Sequence, residues 1–155
     1  MIIVGQVSSR EKFESRHEIS FLEKQEYRPA YHIGPGDLVW VITIKNNRQF
    51  SQLSYGLVPF WSTKEVFHYE SPIEGSVNPN SEHIKKRIIQ HPSYRRPIRE
   101  TRCLVPIDFF ITLSQVGDPF LFFSTETQPF ALAGVYDIWK ARSSDHELYQ
   151  GFSIL

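Results

Sequence analysis

Four short blocks decide the fold of this chain: GLVPFW at residues 56–61, SVNPNSE at 76–82, RCLVP at 102–106 and ALAGVYDIW at 131–139. Runs of β-branched and aromatic residues are typical of buried strands, and the Asn-Pro-Asn-Ser segment of the second block is typical of a turn. Each block alone would fit a core strand or a turn in many proteins. Their order along most of the chain is the specific signal, and the fold assignment rests on it.

The composition is that of one small folded domain with balanced charge. A chain of 155 residues is long enough for one domain with a buried core and short for two. Lys and Arg number 17, as do Asp and Glu, so any nucleic-acid site must be a local patch. A single Cys, and no Cys or His groups at zinc-ligand spacing, predict neither a disulfide framework nor a metal or cofactor. We expect one cytoplasmic domain over residues 1–155, without a membrane segment.

The rest of the sequence predicts a strand-dominated α+β fold. A capping-box pattern at residues 8–11 precedes Phe13, His17 and Phe21 at near-helical spacing, which predicts a helix over residues 9–24. A second, amphipathic helix is expected within residues 79–91. Apolar runs separated by turn residues predict strands at residues 38–44, 49–57, 103–112, 119–124 and 130–139.

Taken together, the four blocks resemble the SRAP family, the SOS-response-associated proteins that crosslink to abasic sites in single-stranded DNA. The resemblance implies a curved, barrel-like sheet of antiparallel and mixed pairing, flanked by a few helices. It also implies a single SRAP-like domain that lacks the family's C-terminal segment, because the family continues beyond the point that matches Phe152 to Leu155. A strand at these last residues would leave an open sheet edge, through which we expect self-association.

The resemblance places a single-stranded DNA groove along the first block. The family's Trp-Gly-Leu-Ile-Pro-x-Trp segment lines that groove, and Tyr55, Pro59 and Trp61 stand at its first Trp, its Pro and its second Trp. Trp61 leaves a strand after a proline, where a ring can stay partly exposed and stack on a base; a core position would fit it equally well. Pro35, in the turn before the first long strand, is included in the implied DNA-binding set.

A basic segment provides the one strong charge asymmetry of the chain. Residues 85–102 contain a single acidic residue, Glu100, and seven basic ones: Lys85, Lys86, Arg87, Arg95, Arg96, Arg99 and Arg102. Such a run is commonly just a solvated face. The resemblance implies an arginine near Arg95 in contact with a phosphate, and the forked guanidinium suits that contact. We therefore expect Arg95 and Arg96 to bind the DNA backbone.

The second block carries the only catalytic match that the resemblance implies. Asn78 matches the Asn of the family's Asn-Ala-Arg-x-Glu motif, whose amide contacts the abasic sugar region, and Glu82 matches the Glu. Pro79 replaces the Ala, and Asn80 replaces the Arg. Asn before Pro is also a common turn former, and the loss of the arginine predicts weaker DNA binding than in ordinary members.

The family's other reactive groups have no counterpart. Ile2, or Val4 if the match is made through Gly5, stands where the family has its cysteine nucleophile, and neither supplies a thiol. Thr112 stands where the family has a glutamate. The family's His-x-Arg-Met-Pro segment comes later than Leu155. We therefore expect a DNA-damage-response protein that binds single-stranded or abasic-site DNA without the family's covalent crosslinking. The alternatives are a non-enzymatic interaction module that uses the open sheet edge, and an active family enzyme that uses unmatched residues.

Overall fold

The computed structural model describes residues 2–22, 24–70, 88–114, 116–140 and 148–155, without the side chains of Asn47 and Arg48. Two helices lie wholly within these residues, α1 (Arg10–His17) and α2 (Pro97–Glu100). The described strands are β1 (Ile2–Gln6), β2 (Ala30–Ile33), β3 (Leu38–Thr43), β4 (Asn46–Tyr55), β5 (Arg102–Ile107), β6 (Phe109–Leu113), β7 (Pro119–Phe123), β8 (Phe130–Lys140) and β9 (Leu148–Ile154). The fold is strand-dominated, as the sequence predicts.

Five strands form a closed barrel in the order β3-β4-β9-β8-β5, and β5 pairs with β3 to complete it. All of these pairs are antiparallel except β4 with β9. Inward-facing side chains fill the interior, among them Val39, Tyr55, Val105 and Phe152. The expected barrel-like sheet of mixed pairing is therefore confirmed.

The β4–β9 junction closes the barrel and requires glycine. A Cβ on Gly151 would lie 2.0 Å from the carbonyl oxygen of Gly56, so only glycine lets the two backbones approach this closely. Ser54 and Gly151, and Tyr55 and Phe152, are paired across the junction. Tyr149 supports it by donating its hydroxyl to the Gly56 carbonyl at 2.7 Å.

The expectation of an open sheet edge at residues 152–155 is wrong. β9 is paired with β8 on one side and with β4 on the other. Beyond the β4 pairing, the Ile154 amide donates to the Tyr69 carbonyl at 3.0 Å, and the Leu155 amide donates to Ala133 at 3.0 Å. The backbone groups that were expected to recruit a partner are therefore hydrogen-bonded within the chain. This edge supports neither self-association nor the interaction-module alternative.

A separate four-stranded antiparallel sheet has the order β2-β1-β6-β7. Sequence predicts one strand over residues 103–112, but the chain leaves the barrel at Asp108 and continues as β6 in this second sheet. The Asp108 carboxylate accepts the amides of Val7 at 2.6 Å and Ser8 at 2.8 Å. It also accepts the Ser8 hydroxyl. Asp108 thus fixes the crossing between the two sheets by holding the end of β1.

Helix α1 is much shorter than the predicted helix over residues 9–24. The Ser9 hydroxyl accepts the Lys12 amide at 3.3 Å at its start, and Glu18 ends it in the left-handed conformation, with φ 55°. The chain then runs extended, and Ser20 bridges to Gln49. Phe21 still packs with Phe13 in one buried cluster. A helix followed by an extended segment therefore buries the same apolar residues that a single longer helix was predicted to bury.

Two further expectations differ in detail or lie partly outside the described residues. The first hairpin turns at residues 44–45, so β4 begins at Asn46 and not at the predicted residue 49. The Thr43 hydroxyl accepts the Asn46 amide across this turn at 3.2 Å. Of the predicted helix within residues 79–91, residues 88–90 are helical, and those before 88 lie outside the described part of the chain. No helix among the described residues is long and apolar enough to cross a membrane.

Candidate nucleic-acid interface

A groove forms where the segment after β4 meets the segment before α2. It is lined by Phe60, Trp61, Pro92, Arg95 and Arg96. Leu57 and Val58 anchor the first segment in the interior, whereas Phe60 and Trp61 turn outward. The indole N–H of Trp61 donates to the Pro92 carbonyl at 3.3 Å. This hydrogen bond fixes the position of the indole. Trp61 is nevertheless 52% exposed, so much of its ring surface remains accessible.

Arg96 is held by groups of the protein itself. Its guanidinium lies 4.3 Å from the centroid of the Phe60 ring, within the range of a cation–π contact. Its Nε donates to Glu100 at 3.0 Å, and its Nη1 lies 3.7 Å from Asp137. Two carboxylates therefore offset the charge of Arg96, and its principal contacts hold the groove wall together.

Asp137 of β8 anchors this wall from the barrel. Its carboxylate is buried and accepts the amides of Phe60 at 3.0 Å and Ile138 at 2.9 Å. Burial raises the pKa of Asp137 above its usual value, while these two amides and Arg96 act in the opposite direction. Asp137 thereby connects the loop that carries Phe60 to a strand of the barrel.

Arg95 differs from its neighbour although the sequence treats the two alike. Its side chain is exposed, and no described residue gives its guanidinium an ion pair or hydrogen bond. It lies between the groove and an adjoining hollow that Arg99 also lines. Arg95 is therefore the groove cation with a charge available to a bound anion.

The structure separates the other predicted DNA-binding residues from the groove. Tyr55 is fully buried in the barrel, stacks on Phe152 with centroids 5.1 Å apart, and donates its hydroxyl to the Ile2 carbonyl at 3.1 Å. The expectation that it offers a ring face to DNA is wrong, because that face packs in the core. Pro59 is also buried. Pro35 lies half-buried in the turn before β3 and does not line the groove.

The two positions that the resemblance matches to the family's Cys and Glu do come together. Ile2 and Thr112 are cross-strand partners on β1 and β6. A third residue, Glu70, which is not among the predicted site residues, also lies here: the Ile2 amide donates to its carboxylate. Tyr94 donates its hydroxyl to the Glu70 carbonyl at 2.9 Å. No sequence pattern marks Glu70, because its position depends on how the segment after Leu57 folds back over the barrel.

His68 connects the two segments that carry the groove. Its backbone pairs with Leu57 through two hydrogen bonds of 2.8 Å, and its Nε2 lies 3.3 Å from the Ser93 hydroxyl. Burial, and secondarily the nearby His91, lower the pKa of His68 below its usual value. The neutral imidazole is therefore the form that this packing favours.

Three of the predicted site residues, Asn78, Asn80 and Glu82, lie outside the described residues, as do Lys85, Lys86 and Arg87. Within the described ranges, no group of His, Cys, Asp and Glu side chains could hold a metal ion. The groove described above is therefore built from the first block and from the second half of the basic segment.

Comparison with known proteins gives two similar proteins from Bacillus subtilis (strain 168). The abasic site processing protein YoaM is 28% identical over 134 residues, which cover 83% of this chain and 53% of that protein. The abasic site processing protein YoqW is 27% identical over 124 residues, which cover 77% of this chain and 51% of that protein. The chain thus spans about half the length of the curated relatives that it matches.

Solved structures show the same fold. A protein from Bacteroides thetaiotaomicron superposes with a TM-score of 0.68 at 20% identity, covering 97% of this chain and 66% of that one. Residues 4–155 match the family described as SOS response associated peptidase (SRAP). This match confirms the resemblance read from the four blocks, and the chain belongs to the SRAP family.

Proposed function

We propose that this protein binds single-stranded DNA, including DNA with abasic sites, in a DNA-damage response and without forming a covalent crosslink. The names of the Bacillus relatives, which process abasic sites, support the choice of DNA as the ligand. The observation that carries the proposal is the groove in which the half-exposed Trp61 lies beside the exposed Arg95.

This groove has the two components that sequence-tolerant binding of single strands requires. An exposed indole gives a base a stacking surface, a contact of about 1–3 kcal/mol per base. Arg95 supplies an exposed cation in the groove, and Arg99 supplies another in the adjoining hollow. Phosphate contacts of this kind carry no base identity. Binding should therefore depend on salt and be nearly independent of sequence.

The absence of covalent chemistry is proposed from the residues at the start of β1 and on β6. Ile2 has no thiol, and its cross-strand partner Thr112 has no carboxylate. A threonine hydroxyl does not act as a general acid or base near neutral pH. Glu70 does bring a carboxylate to this place, but it accepts the Ile2 amide.

One experiment tests both parts of the proposal. Fluorescence anisotropy of a labelled single-stranded oligonucleotide, intact or with one abasic site, is followed during titration with the protein at two salt concentrations. The same mixtures are then denatured and run on a gel. We expect binding that weakens with salt and no retained adduct. Binding that salt does not affect would contradict the groove, and a heat-stable adduct with the abasic strand would contradict the non-covalent part.

A further inference from the structure

The four-stranded sheet ends in an apolar edge. Among the described residues, β7 pairs with β6 alone. Its side chains alternate between the two faces of the sheet and are nevertheless exposed on both, by 46–56% from Phe120 to Phe123. Apart from Pro119 at its start, this edge strand carries none of the charged or proline residues by which soluble proteins usually prevent an exposed apolar edge from pairing with another strand.

The hairpin fixes which backbone groups of β7 face outward. The Ser114 amide donates to the Asp118 carbonyl at 2.8 Å, so the backbone of residue 118 points towards β6. Along an antiparallel strand, the N–H and C=O groups of successive residues point alternately to one side and the other. The backbone groups of Pro119, Leu121 and Phe123 therefore point away from β6. Proline has no amide hydrogen. The free edge therefore offers the N–H groups of Leu121 and Phe123 and the carbonyls of all three residues.

We propose that a second copy of the chain pairs with this edge, antiparallel, with the two-fold axis at Leu121. Leu121 then exchanges two hydrogen bonds with its symmetry mate. The Phe123 amide of each copy donates to the carbonyl of Pro119 of the partner subunit, which brings the total to four hydrogen bonds. The Phe123 carbonyl faces the nitrogen of Pro119 of the partner subunit, which has no hydrogen to donate, so the ladder lacks a hydrogen bond at these two positions. Phe120 lies opposite Phe122 of the partner subunit, an aromatic cross-strand pair of the kind that stabilises sheets.

Charge selects this register over its neighbours. With the axis at Leu121, Asp118 lies opposite Ser124 of the partner subunit, and Glu126 lies beyond the strand, so no like charges meet. A shift that moves the axis to Phe123 sets Glu126 opposite Phe120 of the partner subunit. The reverse shift, to Pro119, sets Asp118 opposite the same ring. Both shifts place a carboxylate against an aromatic side chain, which disfavours them.

The area available predicts a weak dimer. An aromatic side chain carries roughly 150–250 Å², so four half-exposed apolar side chains contribute on the order of 400 Å² per copy. Stable dimers bury about 800 Å² per partner. We therefore expect reversible dimers that are populated at high protein concentration. None of the residues that line the groove belongs to this sheet, so the inference does not depend on the proposed function.

Sedimentation velocity across a concentration series tests this edge. Leu121→Lys places like charges together at the two-fold axis and should abolish association. Leu148→Lys is the matched control, because Leu148 is 58% exposed and Leu121 is 56% exposed. Leu148 lies on β9 of the barrel, away from the proposed interface, so the Leu148→Lys variant should associate like the unmodified protein. Circular dichroism verifies that each variant is folded.

Charge exchange tests the register itself. Leu121→Lys and Leu121→Glu should each stay monomeric alone, whereas an equal mixture should form dimers, because the axis then joins opposite charges. A strictly monomeric unmodified protein at every concentration would overturn the proposal. So would association that survives in Leu121→Lys, or a mixture that stays monomeric while both variants are folded.

Discussion

Two pairs of aromatic rings in this molecule share one geometry and differ in environment. Tyr55 and Phe152 stack in the barrel with centroids 5.1 Å apart and planes inclined by 12°. Phe110 and Phe122 stack in the open sheet at 4.8 Å and 8°. The first pair is fully buried, whereas Phe122 is 46% exposed. For these two pairs, closure of the strand ladder, and not the identity of the aromatic residues, decides which rings are buried.

The largest expected effect contrasts these two pairs. Tyr55→Ala should lower the free energy of unfolding by about 3–5 kcal/mol, as large aromatic truncations in a core do. Phe122→Ala should cost only about 1 kcal/mol, because its site is open to water and leaves no enclosed cavity. Chemical denaturation measures both. Tyr55→Phe is the control for the hydroxyl bond to Ile2 and should cost about 1 kcal/mol.

Equal losses in Tyr55→Ala and Phe122→Ala would contradict the contrast between the barrel and the open sheet. In that case the hairpin would have to be packed as tightly as the barrel interior. A loss in Tyr55→Phe as large as that in Tyr55→Ala would instead assign the stability to the hydroxyl bond.

The next effect separates two adjacent arginines. Arg96→Ala removes the cation beside the buried Asp137 and the contact with Phe60, and should cost about 1–2 kcal/mol of unfolding free energy. Arg95→Ala should change it by less than about 0.5 kcal/mol, because the side chain is exposed and unpaired among the described residues. Thermal or urea unfolding of the two variants gives the comparison, and equal stabilities would show that Arg96 is as free as Arg95.

The smallest effect is a pH dependence. The pKa of His68 is lowered in the folded state, so between that pKa and its ordinary value of about 6.5 the unfolded chain binds more protons than the folded one. Stability should therefore be fully present above this window and fall as the pH decreases through it. The pKa of His17 is also lowered, by burial and secondarily by Arg16, and acts in the same direction.

Unfolding measured at a series of pH values in the protein and in His68→Gln isolates the contribution of His68. The variant can still hydrogen-bond Ser93 and should lose less stability on acidification. His17→Gln provides the matched comparison for the second histidine. Identical acid profiles in the protein and in His68→Gln would show that protonation of His68 does not disturb the packing between the two groove segments.

The sequence predicts the parts of this fold that depend on local pattern or on the order of the blocks. Strand β8 (Phe130–Lys140) nearly coincides with the predicted residues 130–139, because its apolar run is long and bounded by a proline. The place of Trp61 after Pro59 allows an exposed ring or a core position equally, and the structure shows the ring to be 52% exposed. The barrel as a whole was anticipated only through the family resemblance, since no local pattern states which strands pair.

The failures share a physical cause, which is that long-range contacts decide them. Residues 103–112 form one apolar run, and it divides into two strands at Asp108, which accepts the amides of Val7 and Ser8. Tyr55 was expected to line the DNA groove, but barrel closure buries it. Arg95 and Arg96 are identical residues in sequence, and Asp137 of a distant strand distinguishes them.

The measurement that tests the central claim most directly is the salt dependence of single-stranded DNA binding in Arg95→Ala, compared with Arg28→Ala. Arg28 is also exposed but lies before β2 and outside the groove, paired with Glu26, so both variants lose one charge. We expect Arg95→Ala to weaken binding for all sequences alike and to reduce the salt slope by about 0.7, the value for one phosphate of a single strand. Arg28→Ala should leave both unchanged. Equal behaviour of the two variants, or binding that Arg95→Ala does not affect, would contradict the assignment of this groove to DNA.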